Sequence, residues 1–168
     1  MSTRAVIARE TDKGWEGRYH HFDGYPSGLG KALFDLYNGY FGHDLAKMLK
    51  VLLDDHPAGW SDIVGRNFRK APGFVEDTSK WKDEDRPLCY CHGDRHEEAQ
   101  LLTRENASAC GVEYAYVFSG AAITILSSYC ADGHKMIGMF GMGDENATWR
   151  EVAMLDLNSQ EPDWEVIK

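Results

Sequence analysis

Two runs in the C-terminal half constrain the fold most: Val112-Glu113-Tyr114-Ala115-Tyr116-Val117-Phe118 and Ala122-Ile123-Thr124-Ile125-Leu126-Ser127-Ser128-Tyr129, with Ser119-Gly120 between them. β-Branched and aromatic side chains suit a pleated surface, and a short glycine-containing link between two such runs predicts an antiparallel hairpin. A second hairpin is predicted at the N-terminus. There the apolar run Arg4-Ala5-Val6-Ile7-Ala8-Arg9 is followed by Thr11-Asp12-Lys13-Gly14, whose glycine can take the positive φ of a tight turn. Trp15, Gly17, Tyr19 and His21 then alternate with Glu16, Arg18, His20 and Phe22, the period of a strand. Residues 135–140 and 149–157 are two further candidate strands, separated by a glycine-rich stretch.

Between the hairpins the period changes. Leu29, Leu33, Leu36, Tyr37 and Tyr40 fall at helical spacing, with Ser27 placed as the N-cap. Leu45, Met48, Leu49, Leu52 and Leu53 predict a second helix, which His56-Pro57 stops. Trp60 and Ile63 predict a short third helix capped by Ser61. Residues 66–88 are charged and irregular and read as a long surface loop, while the periodicity of 88–106 does not decide between helix and strand. Strands, then helices, then strands describe an α+β domain: a mostly antiparallel sheet of about five or six strands with two or three helices on one face. With 168 residues the chain is long enough for one ordinary core and short for two, so 1–168 is expected to be a single domain.

The formal charge of -9 argues against a nucleic-acid groove, which needs clustered Lys and Arg. No run approaches the roughly 18 apolar residues of a membrane helix, and Met1-Ser2-Thr3-Arg4 does not open a signal peptide. Four cysteines, of which only Cys89 and Cys91 are close together, fit a reducing compartment better than a disulfide framework. A cytoplasmic protein without nucleic-acid or membrane partners is the expectation.

Chemistry concentrates in two places. The first is the strand-to-helix turn containing His20, His21, Asp23, Tyr25, Ser27, Gly28 and Gly30. Glycines and Lys31 between a strand and a helix suggest a phosphate loop. The spacing excludes the P-loop, since the first glycine stands one position too early and Ala32 occupies the place of the Mg²⁺-binding Ser or Thr. A phosphate can rest on free N–H groups at a helix start, but a tight turn that requires glycine is the simpler reading. A carboxylate two residues after a histidine can orient its ring, and Asp23 can equally serve as an Asx-turn residue. Adjacent histidines on a strand point to opposite faces, so His20 and His21 cannot share one site unless the strand bulges or ends; His21 is the one expected to face the turn.

The second is Cys89-Tyr90-Cys91-His92-Gly93-Asp94-Arg95-His96. Cys89, Cys91, His92 and His96 can supply four zinc ligands, although Cys-x-Cys is not the usual knuckle spacing and Cys91 beside His92 is awkward for one tetrahedral ion. Zinc is therefore the cofactor to test. Ser2, exposed after removal of Met1, also matches the start of an N-terminal nucleophile hydrolase.

Met1-Ser2-Thr3-Arg4 and His21-Phe22-Asp23-Gly24-Tyr25-Pro26 with Leu29-Gly30 resemble a group of uncharacterised proteins from bacteriophages and actinobacteria. Its members commonly begin with a Ser-Thr-Arg or Gly-Thr-Arg run and carry a His-Trp-Asp-Gly-Tyr-Pro turn before a helix, with Phe22 here in place of Trp. The resemblance covers about the first forty residues, less specifically the Tyr114 strand and the Cys91 segment, and implies a phage or prophage origin without implying an activity. The expectation is a binding protein rather than an enzyme, recognising a small molecule or a host protein through the 20–30 turn. The alternatives are a metal-dependent or N-terminal-nucleophile hydrolase and an interaction protein without a ligand.

Overall fold

The apolar N-terminal run becomes the centre of a sheet. The computed structural model describes residues 2–70, 85–92, 96–136 and 143–168, and these contain eight strands. In chain order they are β1 (Ala5–Thr11), β2 (Gly14–His20), β3 (Trp60–Asp62), β4 (Leu88–Cys89), β5 (Leu102–Thr103), β6 (Tyr114–Ser119), β7 (Ala122–Tyr129) and β8 (Thr148–Asp156). Their spatial order is β4-β3-β2-β1-β6-β7-β8, with β5 also pairing β2. The β1–β2 and β6–β7 hairpins form as expected. The sheet is mixed, because β1 runs parallel to β6 and β2 parallel to β3.

Central placement explains the composition of β1. Ala5 and Ile7 face one core and Val6 and Ala8 the other, so a strand buried on both sides reads as a continuous apolar run. On β6, Tyr114, Tyr116 and Phe118 face the first core, while Ala115 and Val117 face the second. Gly17 of β2 meets β1 closely: a Cβ there would lie 2.0 Å from the Ile7 carbonyl oxygen and 2.7 Å from the Ala8 Cα.

The first core is closed by helices, which lie on one face of the sheet. A π-helical turn, Pro26–Gly30, leads into α1 (Lys31–Asn38), and α2 (Leu45–Leu49) leads into a second, Lys50–Asp54. Leu29, Leu33, Phe34, Met48, Leu52 and Leu53 from these segments join Trp164 against the sheet. Asp44 caps α2 by accepting the Lys47 N–H at 2.9 Å. The second core is covered by Leu102, Ala107 and Val112, with Trp15 packed edge-on against Trp149.

The structure corrects several expectations. Residues 60–62 form β3 instead of a third helix, because Trp60 pairs with His20 on one side and Cys89 on the other. Ser27 is not the N-cap; the chain enters the helix at Pro26, and the cap position is Tyr25. The sheet exceeds five or six strands because β3, β4 and β5, of two or three residues, are too short to show a period. Residues 71–84 of the expected loop and 137–140 of an expected strand lie outside the described residues. Among the described residues, no helix is long and apolar enough to cross a membrane.

Candidate metal centre

Pairing of β3 with β4 brings two distant parts of the chain together. Trp60 is fully buried, its indole N–H donating to the Leu52 carbonyl at 2.9 Å, and this sets the residues before β3 against the end of the second helical segment. His56 packs on the Trp60 ring, with centroids 4.3 Å apart. On the paired strand, Cys89 is buried and Cys91 half-buried, and His92 stands 5.0 Å from His56, ring to ring. One ligand atom from each of His56, Cys89, Cys91 and His92 lies within 4.8 Å of the others. Two thiols and two imidazoles that close can hold a metal ion.

The polar contacts in the group show how closely these donors are matched. Cys89 Sγ and His92 Nδ1 are 3.2 Å apart. The Ala58 N–H donates to Cys91 Sγ at 3.2 Å, across 33 positions of sequence. The hydrogen bond between the two thiols is the largest influence on both: it lowers the pKa of Cys91 and raises that of Cys89. Burial opposes the first shift and reinforces the second, and His56 and the Ala58 N–H further favour a Cys91 thiolate. The arrangement thus favours negative charge on the Cys91 sulfur, the form a metal binds, while Cys89 is held as the neutral thiol that donates to it.

His96 does not join the group. It is exposed, with a left-handed backbone (φ 43°), and the fourth donor is His56, which in the sequence stands only as part of the His56-Pro57 helix stop. The local pattern around His56 carries no metal signal, since a single histidine before a proline is common. Asp94 lies outside the described residues.

The 20–30 turn is built differently. His20 is fully buried and accepts the Ile63 N–H at Nε2 (3.2 Å), and desolvation, with a smaller contribution from His21, lowers its pKa from 6.5 to about 3. The neighbouring His21 points the other way and meets the Tyr19 hydroxyl at 2.7 Å through Nδ1. Burial pushes the Tyr19 phenol up to about 12. Asp23 adopts a left-handed conformation (φ 53°), and its carbonyl accepts the Leu29 N–H. Gly24 N–H donates to Thr3 and Gly28 N–H to Tyr25, so these amides are engaged with backbone carbonyls and not displayed to an anion.

Close packing accounts for the glycines: a Cβ at Gly28 would lie 2.4 Å from the Asp23 oxygen, and one at Gly30 would lie 2.9 Å from the Trp164 ring. Ser27 is half-buried within the π-helical turn. The Ser2 hydroxyl donates to the His21 carbonyl at 2.5 Å. Phe22 and Tyr25 remain 45% and 40% exposed. Tyr90, between the two thiols, packs against Tyr19 with centroids 6.3 Å apart, so the turn and the Cys/His group are neighbours. Comparison with protein-family models, curated proteins and solved structures gave no match.

Proposed function

We propose that this is a zinc-dependent binding protein, in which a Cys₂His₂ centre of His56, Cys89, Cys91 and His92 is structural and the adjoining 20–30 turn recognises a small ligand or a host protein. The observation that carries this reading is the convergence of four protein donors within 4.8 Å. Zinc prefers four-coordinate sulfur and nitrogen sites, and a site filled by four protein ligands leaves no position for a reactive water. The ion's contribution is then to hold the strand carrying Cys89 against the segment carrying His56.

The recognition half of the proposal is supported by what borders the centre. Tyr90 rests on Tyr19, Tyr19 bonds His21, and the His21 ring stands edge-on to Phe22 at 4.4 Å. This series of contacts runs from the Cys/His group to the exposed ring of Phe22, and Tyr25, three residues on, is also exposed. Aromatic side chains of that kind give large contact area at low entropic cost.

The test begins with metal analysis of protein purified without chelator or affinity metal. One zinc per chain is expected, with Co²⁺ substitution giving the thiolate charge-transfer and tetrahedral ligand-field bands, and Cys91→Ser and His56→Ala each lowering the zinc content. Protein that carries no zinc and does not respond to one equivalent of it would sink the metal half. For the turn, Phe22→Ala and Tyr25→Ala should abolish capture of a co-purifying molecule and leave the melting temperature within a few degrees. Capture unaffected by both changes would remove the recognition half.

A further inference from the structure

A cavity of about 330 Å³ opens between α1 and the segment after β3, and none of its lining residues belongs to the Cys/His group or to the 20–30 turn. We propose that this cavity is a second binding site, for a small planar anion of the aromatic carboxylate class. Its volume lies at the lower end of the range found for small-molecule sites. The walls have two characters. Leu36, Ile63 and Phe68 are buried and supply an apolar floor, while the Tyr40 ring, 5.7 Å from that of Phe68, is 38% exposed. A flat aromatic body can lie against these rings in offset or edge-to-face contact.

The charged residues of the lining point to an anion. Arg66 is committed to Asp62, with hydrogen bonds of 2.6 and 3.0 Å, and Asp35 is held by Lys31 at 2.9 Å. Arg69 is exposed at the cavity and, among the described residues, takes no ion pair. In a chain of net charge -9, a guanidinium that takes no ion pair among the described residues, beside a cavity with an apolar floor, is a local exception to the surrounding field. Its planar fork matches a carboxylate in a bidentate arrangement, and the adjacent rings select a ligand that carries the carboxylate on a flat apolar body.

The test is an amide NMR titration with benzoate, benzamide and inorganic phosphate as probes. Benzoate should give saturable shifts confined to residues 32–40 and 63–69, and benzamide, which has the same shape without the charge, should bind at least about tenfold more weakly. Arg69→Gln should reduce benzoate to the level of benzamide, and Tyr40→Ala should weaken both. The two side chains are exposed, so unchanged spectra elsewhere will show that the variants fold. Equal binding of benzoate and benzamide, or no effect of Arg69→Gln, would overturn the proposal. So would phosphate shifts matching those of benzoate, which would mark a simple anion site. Zinc content is unaffected by any of these results, so this site and the metal centre stand or fall separately.

Discussion

The two adjacent histidines of β2 have opposite roles because a strand sends successive side chains to opposite faces. His20 is sealed in the protein as the neutral ring, accepting the Ile63 amide, whereas His21 is half-buried beside Tyr19. The folded-state pKa of His20 lies below its ordinary value, at about 3 against 6.5, so the folded state binds fewer protons than the unfolded chain in that interval. Its contribution to stability is therefore complete above about pH 6.5 and is lost as pH falls towards 3, at about 1.4 kcal/mol per pH unit. Stability measured in urea should drop by about 2 kcal/mol more between about pH 7 and pH 5 in the parent protein than in His20→Gln, which keeps an acceptor for the Ile63 amide. Equal drops in the two proteins would show that His20 does not set this dependence. The sequence placed the two rings on opposite faces, but which of them would be buried depended on Ile63, 43 positions away.

At the scale of elements, the tightest constraint is the contact between β1 and β2. Gly17 pairs with Ala8, and its missing side chain lets the Ile7 carbonyl approach where a methyl group would sit. Gly17→Ala must push two paired strands apart and should cost about 2 to 3 kcal/mol, read as a lower urea midpoint. Gly120 in the β6–β7 turn is the control. It has positive φ (56°) with open space at the Cβ position, so Gly120→Ala should cost only about 1 to 2 kcal/mol of backbone strain. Comparable small losses at both sites would refute the steric account of Gly17. The hairpins and the two main helices were legible because each extends over five or more residues, enough to show a period. The strands β3, β4 and β5 were not, since a two- or three-residue strand has no period and exists only through its neighbours.

For the whole molecule, the proposed ion is expected to act as a tie between segments far apart in sequence. Removing it with chelator should lower stability by about 3 kcal/mol, roughly 10 °C for a chain of this size, because an ion that binds only the folded state stabilises it by mass action. Amide exchange should rise at 56–62 and 88–92, while the β6–β7–β8 ladder keeps its protection. Uniform loss of protection across the sheet would mean instead that the ion supports the entire fold.

The sequence by itself determined the α+β class, both hairpins, the helical face and the presence of a Cys/His-rich segment, because each of these is written in local periodicity or local composition. Only the tertiary structure decided that His56 and not His96 completes the donor group, and that Gly30 of the 20–30 turn packs against Tyr116 and Trp164. The physical reason is common to both. Coordination and the close approach at Gly30 depend on atoms brought together by the pairing of β3 with β4 and by packing against Tyr116 and Trp164, and pairings between residues as far apart in the chain as Trp60 and Cys89, or Gly30 and Trp164, leave no mark in a local pattern.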